Sequence, residues 1–165
     1  MAKADPGNMF RPNAGVAVLD LDDRVLAFRR VGSGDSWQLP QGGIDSEELP
    51  VEAMWRELEE ETGIGQSLVD LVGEVPEWLG YEIPARFRSP KRLSRGQVQK
   101  WFIVRVGTDR IGEVEQILGS LPPEEFDDWK WTTMRDLLDE VVAFRVPVYT
   151  RLAAVLQGLE PGLYR

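Results

Sequence analysis

Three glutamates, Glu57, Glu60 and Glu61, stand at positions i, i+3 and i+4, a spacing that puts their side chains on one face of an α-helix. Like charges so placed repel, costing an isolated helix roughly 0.2–0.5 kcal/mol per pair. They also fall toward the predicted helix C-terminus, where the macrodipole disfavours negative charge. A face that only met solvent would interleave Lys or Arg here. A divalent cation resolves the conflict, because carboxylates converging from one face bind Mg²⁺ or Mn²⁺ and leave positions for water and phosphate oxygens. The chemistry this suits is metal-assisted attack of water on a phosphoryl group. Arg56 sits one position off that face and reads as an orienting residue able to pair with Glu48.

Composition narrows the alternatives. The 165 residues include no Cys and no His, which excludes disulfides, thiolate nucleophiles, zinc–thiolate sites and the commonest general base. Acid–base and metal chemistry must rest on carboxylates, Lys, Tyr or water, and an all-oxygen ligand set favours Mg²⁺, Mn²⁺ or Ca²⁺. With 28 Asp and Glu against 19 Lys and Arg the formal net charge is −9, which makes non-specific nucleic-acid binding unfavourable. DNA is therefore not an expected partner. The charge is uneven, however. From Ile83 to Thr108 there is no acidic residue, while Arg86, Arg88, Lys91, Arg92, Arg95, Lys100 and Arg105 are basic. This stretch is either a solvated loop and strand edge or an electropositive wall facing phosphates. No apolar run approaches the ~20 residues that span a membrane, and Met1 to Pro12 lacks the apolar block of a secretory signal. A cytoplasmic protein with no membrane partner is expected.

The elements that must position the glutamates can be read from pattern. Ala14–Leu19 and Val25–Phe28 are apolar and Val-rich around the polar turn Leu21–Asp23, predicting a β-hairpin. A Gly/Ser loop at Gly32–Ser36 precedes a short apolar piece, Trp37–Pro40. A helix is predicted from Pro50 to Thr62, with proline at its first position, Gly63 as its left-handed stop, and Val51, Met54, Trp55, Leu58 and Thr62 as its buried stripe. Leu68–Val75 and Val98–Val106 read as strands, Trp129 and Trp131 mark another, and helices are expected at Met134–Val142 and Val148–Gly158. With no repeat and no long linker, the chain from 1 to 165 is expected to form one domain of the α+β class, a mixed sheet flanked by helices.

Gly42, Glu48, Arg56, Glu57, Leu58, Glu60, Glu61, Gly63 and Ile64 match every spaced position of the Nudix box, and the chain resembles the Nudix hydrolases on that ground. The resemblance implies an α/β/α sandwich with a mixed sheet between helices. In it the box forms a loop–helix–loop and Glu57, Glu60 and Glu61 are metal ligands. Further blocks, Arg11–Gly15, Ser36–Gly43, Gly96–Phe102 and Glu125–Trp131, look like one subgroup that contains bacterial RNA 5′-pyrophosphohydrolases and plant-type diadenosine tetraphosphate hydrolases. Within that subgroup Glu125 corresponds to a catalytic glutamate outside the box, usable as a further metal ligand or base; its alternative is a surface acid beside Glu124, Asp127 and Asp128. Lys100 corresponds to a phosphate-contacting position, or is an edge-strand lysine. Arg30 and Phe144 correspond to a pair that holds a nucleobase between a guanidinium and a ring, with Phe144 otherwise a core residue. Tyr81 either lines the nucleotide pocket or packs in a turn, and Gly42 and Gly43 lie beside the substrate. Trp129 and Trp131 are assigned to the core.

Two features depart from the subgroup: the segment between Pro84 and Gln97 is slightly short, and the chain ends at Arg165 without a basic tail. The expected activity is a Mg²⁺- or Mn²⁺-dependent pyrophosphohydrolase, with Glu57, Glu60, Glu61 and Glu125 at the metals and Arg56 orienting them. Its first expected substrate is 5′-triphosphorylated RNA, from which it would release pyrophosphate. The alternative is diadenosine tetraphosphate, cleaved to ATP and AMP. A non-catalytic nucleotide-binding module, the rival from another class, would have lost box glutamates that this chain keeps.

Overall fold

The computed structural model describes residues 9–88, 94–122 and 124–158; Lys91 and Arg92 of the basic stretch lie outside them. An eight-stranded mixed sheet is built from β1 (Phe10–Leu19), β2 (Val25–Arg30), β3 (Trp37–Gln38), β4 (Gln41–Gly43), β5 (Val69–Glu74), β6 (Leu79–Glu82), β7 (Gly96–Val106) and β8 (Phe126–Thr132). Four helices pack around it: α1 (Pro50–Thr62), α2 (Ile111–Leu118), α3 (Met134–Leu138) and α4 (Val146–Gly158).

At the centre β1 and β7 run parallel in unbroken register from Phe10 opposite Gly96 to Leu19 opposite Arg105. Both faces of this ladder are covered, which is why these strands read as near-continuous apolar runs rather than alternating ones. Val16, Val18, Phe102 and Val104 point to one face and pack with Met54 and Leu58 of α1 and Val114 and Leu118 of α2. Ala17, Leu19, Trp101 and Ile103 point to the other and pack with Leu137 of α3 and Tyr149 and Leu152 of α4. The sandwich expected from the sequence is the one observed.

The hairpin of β1 and β2 closes where expected, Leu19 opposite Val25, and Asp20 holds the turn by accepting from the backbone N–H groups of Asp22 and Arg24. The α1 helix matches its sequence reading at both ends. Pro50 opens it, Glu52 accepts from the N–H of Leu49, and Gly63 closes it at φ 80° while donating to the carbonyl of Glu59. Met54, Leu58 and Thr62 are buried, joined by Ala53, and Val51 and Trp55 are partly buried.

Three elements exceed the sequence reading. The strands β4 and β6 are short and hold their shape by pairing with β1 and β7 rather than by their own patterning. The α2 helix follows the apolar spacing Ile111, Val114, Leu118 in a segment left unassigned. One element is shorter: α3 stops at Leu138 instead of Val142, because Glu140 and Val141 both donate back to the carbonyl of Leu137 and close the turn. Among the described residues no helix is long and apolar enough to cross a membrane.

Candidate active site

The site begins with Arg56, which ties the glycine loop to the helix. Its Nε and Nη2 donate to the two carboxylate oxygens of Glu48 at 2.8 and 3.0 Å, and Nη2 also donates to the carbonyl of Gly43 at 2.9 Å. Nη1 donates to Glu57 at 2.8 Å and Glu60 at 3.2 Å. This planar fork matches carboxylate geometry in a way an ammonium does not. The Arg56 hydrogen bonds, and then the N–H of Asp45, hold the Glu48 carboxyl below its ordinary range. The pairing of Arg56 with Glu48 foreseen in the sequence is thus formed, and Arg56 reaches two of the box glutamates as well.

The three glutamates occupy different environments. Glu60 is the outermost, its side chain 61% exposed, whereas Glu57 is only 16% exposed. Glu57 lies directly under Gly42, where an added Cβ would overlap its carboxyl group. Any side chain at this position would force the Glu57 carboxyl to move. Burial pushes the Glu57 carboxyl up, and Arg56 opposes that shift. Glu61 is pushed up to about 8, first by burial, then by the charges of Glu57 and Glu125; the N–H of Gln41, 3.3 Å away, and the charge of Arg30 act against it.

Glu125 comes from a separate segment, just before β8. Its carbonyl accepts from the N–H of Val31, and its carboxylate lies 3.8 Å from Arg30. The fold therefore sets Glu57, Glu61 and Glu125 within electrostatic reach of one another, with Glu60 turned toward Arg56. As the side chains stand, no three acidic groups among the described residues converge on a single point. The donor set nonetheless fits a hard divalent cation: it is all oxygen, partly desolvated, and anionic beyond what Arg56 and Arg30 balance.

Beside this group lies a cluster of aromatic side chains. Tyr81 of β6 is buried and donates to Gln97 at 2.7 Å; burial raises its phenol, while Arg145 and Arg30 pull it down. The ring of Phe144 sits 5.6 Å from that of Tyr81 and 5.6 Å from that of Phe87. The charge of Arg30 is felt at both Tyr81 and Glu61, so this residue stands near the pocket and the carboxylates alike. Lys100 is turned to the β5–β6 connection, donating to the carbonyls of Val75 at 2.7 Å and Pro76 at 3.2 Å.

A polar layer joins pocket and carboxylates. Gln99 is buried and bonds Asn13, Gln41, Gln97 and the indole of Trp101. Its neighbour Gln41 supplies the N–H that meets Glu61.

Two features escaped sequence reasoning. Arg145 donates to Gln38 at 2.8 Å, and its guanidinium carbon is 5.8 Å from the rings of both Tyr81 and Phe144. Its Nε is buried without a partner. The available signal was its position directly after Phe144, in a 3₁₀ turn too short to show periodicity. Phe87, exposed beside Phe144, is the second.

A family model described as the NUDIX domain matches residues 9–152. The chain belongs to the Nudix family, whose hydrolases generally need divalent metal ions. It is similar to proteins named RNA pyrophosphohydrolase. The one from Stenotrophomonas maltophilia (strain R551-3) is 40% identical over 156 residues, covering 93% of this chain and 74% of the relative. The one from Alkalilimnicola ehrlichii is 42% identical over 158 residues, covering 94% and 83%. Among solved structures, a C. elegans Ap4A hydrolase in a binary complex aligns with TM-score 0.64 at 20% identity over 90% of this chain and 99% of that one. The E. coli dihydroneopterin triphosphate pyrophosphohydrolase aligns with TM-score 0.66 at 18% identity, over 89% and 99%. At these identities the structural likeness establishes the fold.

Proposed function

We propose that this chain works as a single domain and a cytoplasmic, metal-dependent pyrophosphohydrolase that removes pyrophosphate from the 5′ end of triphosphorylated RNA. The observation that carries the reading is the shared identity of about 40% with RNA pyrophosphohydrolases over more than nine-tenths of the chain. The geometry is consistent with it, because an acidic group lies beside a cluster of aromatic rings and a guanidinium, groups on which a base can stack.

In this reading Glu57, Glu60 and Glu61, with Glu125 from the second segment, hold Mg²⁺ or Mn²⁺. The cation supplies Lewis-acid polarisation of the phosphoryl oxygens when bound. Glu48 and Arg56 lock the loop so that Gly42 and Gly43 lie close to the phosphates. Glu125 is the nearest carboxylate outside the helix and is suited to accept a proton from the attacking water. Water adds to phosphorus, an anhydride P–O bond breaks, and pyrophosphate leaves with the electron pair, giving a 5′-monophosphate. Arg30, Phe144 and Tyr81 orient the nucleotide through a base. Lys100 serves the phosphates by bracing the β5–β6 connection, or directly once released from its carbonyls.

A second reading is cleavage of diadenosine tetraphosphate to ATP and AMP, since the same rings are suited to stack on an adenine. A competition assay with equal concentrations of triphosphorylated RNA and diadenosine tetraphosphate, in Mg²⁺ and in Mn²⁺, separates the two, with Glu61→Gln as the blank. Faster pyrophosphate release from RNA is the expected result. Faster appearance of ATP and AMP would replace it with the second reading.

A further inference from the structure

The side chain of Phe87 is the feature of the pocket rim that the reaction above leaves unused. It is 53% exposed although large and apolar, and it stands at the outer end of a run of rings that leads from the buried Tyr81. Two observations define what it would contact. Its ring lies 5.6 Å from Phe144 at 48°, so it continues the Tyr81–Phe144 pair outward instead of standing alone. The guanidinium of Arg86 lies over it at 4.8 Å, and Arg86 makes no ion pair among the described residues. The neighbouring arginines differ: Arg88 and Arg95 both pair with Glu82. A ring capped by a guanidinium presents a flat, cationic surface, and both groups stack on nucleobases without regard to sequence. An apolar protein partner would gain nothing from the Arg86 charge, whereas a strand with a phosphate on every nucleotide would.

We propose that Phe87 and Arg86 form a second base platform, holding the nucleotide adjacent to the one that Phe144 contacts. The inference rests on the RNA reading above and makes it more specific. The contact is with substrate away from the reacting atoms, so it acts on binding and leaves the chemical step alone.

The test compares the unmodified protein, Phe87→Ala and Phe87→Tyr on a four-nucleotide single strand bearing a 5′-triphosphate and on a nucleoside triphosphate. For the strand, Phe87→Ala is expected to raise KM about tenfold, the order expected for one lost base stack, with kcat unchanged. For the nucleoside triphosphate KM should not move, and Phe87→Tyr should restore the strand KM. Because Phe87 is exposed, the thermal midpoint of the variant should equal that of the unmodified protein. An unchanged KM for the strand, or an equal rise for both substrates, would overturn the platform while leaving RNA as the substrate. No turnover of the strand by the unmodified protein would overturn the RNA reading and the platform with it.

Discussion

At Glu61 two effects act in the same direction: burial strips water from the carboxylate, and Glu57 and Glu125 place negative charge beside it. Its folded value of about 8 lies above the ordinary 4.5, so the metal-free fold keeps a proton that the unfolded chain has released. That contribution to stability is full below pH 4.5 and is lost as pH rises through about 8. In chelator, the thermal midpoint should therefore fall between about pH 6 and pH 8, and Mg²⁺ should raise it more at the upper end. Glu61→Gln should flatten both trends, and a midpoint indifferent to pH in chelator would count against this account. Gly42→Ala tests the neighbouring carboxylate. The added methyl overlaps the Glu57 carboxyl and should lower cation affinity or turnover about 10–100-fold, read from kcat against cation concentration. Arg56→Lys keeps the charge but loses the fork to Glu48 and Gly43. It should cost about 1–3 kcal/mol by denaturant titration.

Among the elements, α1 carries the glutamates but α4 fixes the loop that faces them. The buried hydroxyl of Tyr149 accepts from the N–H of Leu39 at 2.8 Å, and Val16 donates to the carbonyl of Pro40 at 3.0 Å. These bonds hold the strand entering Gln41–Gly43 against the sheet. Tyr149→Phe would leave the Leu39 N–H unpaired in a buried setting, a loss of about 1–3 kcal/mol, measurable by denaturant titration. It should also weaken cation binding, because Gln41 is two residues along and its N–H meets Glu61. A stability loss with unchanged cation affinity would show that the loop is held independently of Tyr149. Legibility followed element type. The α1 helix, with proline, an apolar stripe and a terminal glycine of its own, was readable to both ends. The strands β4 and β6 were not, since their conformation is imposed by β1 and β7.

Over the whole molecule the parallel β1–β7 ladder is long, unbroken in register and covered on both faces. Amide exchange should be slowest along Ala14–Leu19 and Trp101–Val106 and faster in β3 and β6, whose pairing is short; exchange measured by mass spectrometry would check that ranking. From the sequence alone came the acidic helix, its glycine loop, the absence of His and Cys that leaves oxygen as the ligand, and the α+β order of elements. These are legible because local spacing and composition dictate them. The tertiary structure decided what depends on distance across the fold. Glu125 stands about sixty residues from Glu61 in sequence and reaches it only because β8 pairs with β2. Arg145 meets Tyr81, and Phe87 meets Phe144, only where the segment around β6 and the turn before α4 come together. Burial, which sets Glu61 apart from Glu60 on the same helix face, is a property of the packed sheet and has no local signal in the chain.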